Sequence, residues 1–220
     1  MDLQSKIILI SGPTASGKSK FAIKLAKKIN GEIINADSMQ VYKELSIISA
    51  RPRLTNYQNI KHHLYGFQNV KRNYSTGDWL KLAIKKIAEV KKRDKIPILV
   101  GGTGLYFKAI LEGLVKIPNI PIQLRSKIRN LHKALGQKVF YQKLLILDPK
   151  LKNKIVSTDS QRSIRAYEVK KFTKISILDW FKNTNSNFDE SQFLKILIDY
   201  PREELILKIN LRTEEMIKMG

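Results

Sequence analysis

Residues 12–19 read Gly12-Pro13-Thr14-Ala15-Ser16-Gly17-Lys18-Ser19, between an apolar run and a stretch of helical periodicity. The spacing G-x-x-x-x-G-K-S is that of a loop whose backbone N–H groups gather round a phosphate at a helix N-terminus. Lys18 adds a mobile positive charge, and the Ser19 hydroxyl is the usual Mg²⁺ ligand of such a loop. Thr14 and Lys18 are the loop's catalytic candidates. The motif leaves one question open. The phosphates belong either to a nucleotide such as ATP, hydrolysed or used as a donor, or to a diphosphate that merely leaves.

A hydrolase of this kind needs a carboxylate at the end of a neighbouring strand to hold Mg²⁺ and position water. The run "IPILV" ends instead in Gly101-Gly102-Thr103, without an acid. Asp199, after "LKILI", imitates the signature, but Tyr200 and Pro201 follow at once and a strand-end or helix-capping role is at least as good. Another acid stands in "EIINADSMQVYKEL". Asp37 there either caps the following turn, as Ser38 would, or acts as a general base, which requires it ~2.6–3.2 Å from the proton it takes. Gly101, Gly102 and Gly104 surround Thr103, so that another backbone or a flat base can approach and Thr103 can hydrogen-bond it; helix-on-sheet packing is the alternative. In "STDSQRSIRAYEV", Gln161 and Arg162 share a helical surface with Arg165, although Thr158 and Gln161 also fit a capping box. His62 and His63 lack partners at metal-ligand spacing, so packing or hydrogen bonding is expected of them.

The elements that must position these residues are legible as apolar runs at 7–10, 32–35, 96–100 and 193–198. Three end in loops of small residues followed by helical periodicity, the rhythm of an open parallel sheet. The predicted fold is α/β, a parallel sheet like that of P-loop nucleoside-triphosphate hydrolases, flanked by helices. Its crevice lies beyond the C-terminal strand ends. Residues 1–113 form the first part of this core and 191–220 the return strand and final helix. Between them, 114–190 read as a mostly helical insertion placed over the crevice. Leu124, Ile128, Leu131 and Leu135 mark one helical face there, with Arg125, Arg129 and Lys133 on another.

Composition narrows the classes. The 220 residues are 43% apolar, which suffices for a core, and contain no cysteine, which excludes disulfides and thiolate metal sites and suits a cytoplasmic setting. No apolar run approaches the ~18 residues of a membrane span. Lys and Arg number 41 against 19 Asp and Glu, a formal net charge of +22. Residues 113–158 hold ten Lys or Arg against the single acid Asp148, a local charge of +9. That block predicts a phosphate-backbone partner.

Taken in order, "GPTASGKS", "NADSMQVYKELSIISARP", "HHLYGF", "IPILVGGTGLYFKAILEGL" and "DSQRSIRAYEV" resemble the tRNA dimethylallyltransferases, with "PREELILKINLR" extending the likeness. The resemblance implies transfer of a dimethylallyl group from dimethylallyl diphosphate to N6 of the adenosine beside the anticodon. The loop Gly12, Pro13, Thr14, Ala15, Ser16, Gly17, Lys18 and Ser19 then holds the departing diphosphate with Mg²⁺, and Asp37 takes the amine's proton. It further implies that Asp37, Ser38, Met39, Gln40, Thr103, Arg125, Gln161, Arg162, Ser163, Ile164 and Arg165 meet the tRNA anticodon stem-loop. A monomer is expected. The family continues beyond the equivalent of Gly220, so a shortened chain with residual binding and weak or absent turnover is expected. Three rivals stand beside this reading: a small-molecule P-loop kinase, an enzyme prenylating free adenine nucleotides, and a non-catalytic RNA-binding remnant.

Overall fold

The computed structural model describes residues 3–182 and 184–219. Its elements run β1 (Ile7–Ser11), α1 (Lys18–Ile29), β2 (Gly31–Asn35), β3 (His62–His63), α2 (Thr76–Lys91), β4 (Ile96–Gly101), α3 (Gly104–Glu112), α4 (Ile122–Leu147), α5 (Ser160–Thr173), α6 (Ile177–Trp180), β5 (Phe193–Leu197) and α7 (Arg202–Lys218). The chain divides into two compact units, Met1–Gly113 with Ser186–Gly220, and Leu114–Asn185.

In the first unit the five strands, all parallel, lie in the order β3-β2-β4-β1-β5. The inner strands β1 and β4 are near-continuous apolar runs because helices cover both faces of a parallel sheet, whereas β2 buries Glu32 and Asn35 beside Ile33 and Ile34; β4 is buried throughout. The edge strand β5 alternates instead and exposes Lys195 and Leu197. At the other edge β3 pairs Ile33 with His62 and Ile34 with His63. A strand of two residues is too short for any periodicity, so the sequence reading lacks it. From neighbouring positions β1 is followed by α1 and β2 on one side, whereas β4 leads towards β5 on the other. Such a reversal opens a crevice at the C-terminal strand ends.

α1 packs Ala22, Ile23 and Ala26 against Ile8, Ile10, Ile33, Ile98 and Val100. α2 starts with a reciprocal cap between Ser75 and Asp78 and buries Trp79, which stacks on Tyr106 of α3 at 4.2 Å. The Trp79 indole N–H donates to the Asn35 carbonyl at 2.8 Å, fixing the end of β2.

The second unit is helical. α4 breaks at Gly136 (φ 71°, ψ 165°), a backbone that glycine adopts without a Cβ penalty. Leu144, Leu151, Ile155, Ala166, Val169 and Ile177 form its core. Of the predicted apolar face, Ile128 is buried and Leu124, Leu131 and Leu135 are half-buried. The cap of α5 is Asp159, whose carboxylate accepts from the Arg162 N–H at 2.9 Å, so of the two readings of Gln161 the capping box with Thr158 is not formed. Among the described residues no helix is long and apolar enough to cross a membrane.

Candidate active site

The loop after β1 is shaped by its glycines. Gly12 has φ 153°, and a Cβ there would lie 2.5 Å from the Ile198 carbonyl oxygen. Ala15 (φ 63°) and Gly17 (φ 84°) are also left-handed, and Gly17 caps α1. Lys18 folds back so that its ammonium donates to the Pro13 carbonyl. Burial holds its pKa below the ordinary lysine value; the Asp37 charge opposes that shift and the Arg212 charge adds to it. The Ser16 hydroxyl is buried within the loop and has no hydrogen-bond partner among the described residues. Buried polar atoms are nearly always satisfied, so an orphan here marks a place where an acceptor belongs.

The opposite wall follows β2. The Asn35 amide donates to the carbonyls of Asp37 (2.9 Å) and Leu64 (3.0 Å), while its oxygen accepts from the Asp37 N–H (3.0 Å). Asp37 Oδ1 accepts from the N–H of Met39 at 2.8 Å and of Gln40 at 3.4 Å. Oδ2 has no donor among the described residues. The two readings of Asp37 are therefore compatible in geometry: one oxygen closes the turn and the other is available to a ligand. Thr103 Oγ1 accepts from the Ser38 N–H (2.9 Å) and donates to Ser38 Oγ (3.3 Å). Its hydroxyl thus joins the loops after β2 and β4. Gly101 provides the close approach anticipated there, since a Cβ on it would lie 2.0 Å from the Ala36 carbonyl oxygen. Gln40 donates to the Ser49 carbonyl at 3.0 Å, and the Met39 side chain is exposed.

These walls enclose an open cavity of about 450 Å³, bordered by Thr14, Ala15, Gly17, Lys18, Ser19, Asp37 and Gln40. Tyr65 and, from α7, Lys208, Arg212 and Glu215 complete it; the sequence reading missed these four. The signal was available, because Lys208 and Arg212 are one helical turn apart and must share a face. Lys208 also lies over the Tyr200 ring, 3.8 Å from its centroid. Asp199 is exposed and accepts from the adjacent Tyr200 N–H at 2.9 Å, just beyond the end of β5; the N-cap of α7 is Pro201, without a side-chain bond. His62 stacks on Tyr57 with ring centroids 3.8 Å apart, and His63 Nε2 meets Glu32 Oε2 at 2.7 Å. Among the described residues no three His, Cys, Asp or Glu converge as a metal-binding group.

In the second unit, Arg125 of α4 and Arg165 of α5 converge on Glu168, at 3.5 and 3.7 Å. Arg162 pairs with Asp159 at 3.3 Å. Gln161 is exposed and Ile164 half-buried. Ser163 is fully buried and lies 3.2 Å from the donating Gln137 amide, so its side chain secures α5 to α4 and presents nothing outward.

The family described as IPP transferase matches residues 40–220. A tRNA dimethylallyltransferase of Pelagibacter ubique is 62% identical over 220 residues, covering 100% of this chain and 70% of that protein. One from Rhizobium rhizogenes is 43% identical over 214 residues, covering 97% and 72%. Among solved structures, a eukaryotic dimethylallyltransferase acting on tRNA superposes with a TM-score of 0.82 at 29% identity, over 98% of this chain and 53% of that one. The tRNA isopentenylpyrophosphate transferase of Bacillus halodurans gives 0.62 at 31% identity, over 98% and 67%. The chain thus spans about 70% of the length of these curated relatives and about half of the eukaryotic chain. With that extent of likeness across both units, the chain belongs to the IPP transferase family, the tRNA dimethylallyltransferases.

Proposed function

We propose that this chain transfers a dimethylallyl group from dimethylallyl diphosphate to N6 of the adenosine beside the anticodon of tRNA, releasing diphosphate. The observation that carries the proposal is one cavity bordered by the phosphate loop on one side and Asp37 on the other. The allylic C–O bond breaks, and its electron pair leaves with the diphosphate. The loop N–H groups, the Ser16 and Thr14 hydroxyls and Lys18 stabilise that negative charge as it develops. The adenine amine, a weak nucleophile because its lone pair is shared with the ring, bonds the allylic carbon and yields its proton to Asp37 Oδ2. Lys208 and Arg212 add positive charge to the same cavity.

A Mg²⁺ ion fits this donor set, since Mg²⁺ is commonly held by one or two protein oxygens with substrate phosphates and water. Ser19 borders the cavity and would hold it; the ion would neutralise charge on the diphosphate. Arg125, Gln161, Arg162, Ile164 and Arg165 would contact the anticodon stem-loop, with Asp37, Ser38, Met39, Gln40 and Thr103 around the splayed adenosine. The chain would act as a cytoplasmic monomer. A kinase reading is not favoured, because β4 ends in glycine where a phosphoryl-transfer enzyme of this type places its metal-holding carboxylate.

The test is mass spectrometry of an anticodon stem-loop RNA incubated with excess protein, Mg²⁺ and dimethylallyl diphosphate, so that even one slow turnover registers. A mass gain of one dimethylallyl group on the target adenosine is expected. No gain, together with calorimetric preference for ATP over dimethylallyl diphosphate, would refute the reading.

A further inference from the structure

Glu168 is the most conspicuous buried acid outside the cavity. Its side chain is 2% exposed, yet three arginines converge on it: Arg125 at 3.5 Å and Arg129 at 3.7 Å from α4, and Arg165 at 3.7 Å from its own helix α5. The spacing explains the convergence. Arg125 and Arg129 are four apart on α4 and Arg165 is three before Glu168 on α5, so all three point into one seam between the two helices.

The distances are unusual. A guanidinium hydrogen-bonded to a carboxylate normally closes to ~2.7–2.9 Å. Here no arginine does so, and both Glu168 Oε1 and Arg125 Nε lack a hydrogen-bond partner among the described residues. The three arginine side chains nevertheless remain 40%, 58% and 44% exposed. Three positive charges against one carboxylate leave a local excess of +2. The cluster is therefore not a closed structural ion pair. It is a set of partly exposed arginines kept together by an anion beneath them.

We infer that Glu168 is a positioning residue that gathers Arg125, Arg129 and Arg165 into a single receptor for one RNA backbone phosphate. This rests on the tRNA reading above and adds Arg129, Glu168 and their joint action. Without the buried carboxylate the three like charges repel and separate. With it, a phosphate arriving from solvent meets a preformed fork and supplies the oxygens that the guanidiniums lack.

The sign of one substitution separates this from general electrostatics. Glu168→Gln raises the net charge by one, so charge alone predicts tighter RNA binding. Loss of positioning predicts weaker binding, by roughly tenfold, about the worth of one charge-assisted contact. Binding of an anticodon stem-loop by the full chain would be followed by fluorescence anisotropy across salt concentrations. Far-UV circular dichroism would serve as a control for folding of the helical second unit, and calorimetric binding of inorganic diphosphate for that of the first. A second measurement avoids dependence on the folding of Glu168→Gln. Arg129→Ala, at a largely exposed position, should lower the slope of log affinity against log salt by roughly 0.7–0.9, one phosphate. Arg125→Ala/Arg129→Ala should lower it no further. Tighter or unchanged binding by a folded Glu168→Gln, or a double variant that loses two phosphates' worth of slope, overturns the inference while leaving the tRNA reading intact. Failure of the unaltered chain to bind the stem-loop removes both.

Discussion

Gly101→Ala is the substitution whose consequence the structure sets most tightly. A Cβ at this position would lie 2.0 Å from the Ala36 carbonyl oxygen, 2.2 Å from its carbon and 2.8 Å from Cα. All three are backbone atoms, so no side chain can rotate away. Relief requires the strand end of β4 and the segment at Ala36 to separate by roughly 1 Å, a form of overpacking that costs about 1–3 kcal/mol. The same separation strains the Ala36 N–H bond to Val100 (2.8 Å) and the Thr103 N–H bond to Ala36 (3.3 Å). For a chain of this length each kcal/mol lowers Tm by about 2–4 °C, so a fall of roughly 2–12 °C is expected. Asp37 follows Ala36 directly, and a displacement of ~1 Å at a reacting group costs about 10²-fold in rate. Gly104→Ala is the matched control. Nothing lies within 4 Å of its hypothetical Cβ, at the first residue of α3. Replacing that glycine should be neutral or stabilise by up to about 1 kcal/mol. Thermal melts followed by circular dichroism, with single-turnover prenylation of the stem-loop, report both effects. A Gly101→Ala protein that melts and alkylates like the unaltered chain, or a Gly104→Ala protein equally damaged, would refute the reasoning.

Asp37→Asn keeps an oxygen for the Met39 and Gln40 N–H groups but offers no proton acceptor, so transfer should slow by about 10²–10⁴-fold while calorimetric affinity for dimethylallyl diphosphate is retained. Asp37→Ala should in addition lose about 1 kcal/mol of stability with its turn cap; equal turnover by Asn and the native residue would remove Asp37 from the chemistry. Arg212→Ala should weaken diphosphate binding by roughly tenfold, the loss of one charge-assisted contact, and unchanged calorimetric affinity would place α7 outside the site. Glu32 is 1% exposed; burial acts to raise its pKa, but hydrogen bonds from Arg93 and His63 prevail and hold it below 4.5. Its contribution to stability is therefore full above pH 4.5 and lost as pH falls through the lowered folded-state value. Glu32→Gln should cost about 1.5 kcal/mol near neutrality, the loss of charge-assisted hydrogen bonds whose Arg93 partner stays solvated, and show a flatter acid limb in urea-unfolding midpoints. Parallel acid limbs for the two proteins would contradict this.

Much of the first unit is written in local pattern. The buried runs of β1 and β4 could be read because a parallel strand covered on both faces must be apolar at nearly every position, and β2 through its Ile33-Ile34 pair, although it also buries Glu32 and Asn35. The phosphate loop was legible because few residue orders allow left-handed backbone at Gly17 and crowding at Gly12 while placing Lys18 and Ser19 at a helix start. Asp37 and Thr103 were legible as residues in loops beyond the strand ends. Their mutual arrangement was not, since the bond between Thr103 and Ser38 joins positions 65 residues apart.

Other features were decided by the tertiary fold. The two-residue strand β3 exists because β2 offers an unpaired edge, which no property of His62 and His63 announces. Ser163 was singled out with its exposed neighbours, but packing of α5 on α4 turned it inward to Gln137. Lys208 and Arg212 joined the cavity because α7 follows β5 back beside the phosphate loop, a consequence of strand order. Arg125 and Arg165 looked like independent charges in the sequence, and only the contact between two helices placed Glu168 beneath them. Sequence by itself determined what each segment must bury and which loop can cradle a phosphate, since backbone conformation and burial are local demands. The tertiary structure decided which distant charges meet, because electrostatic interactions depend on separation in space and burial, and chain order specifies neither.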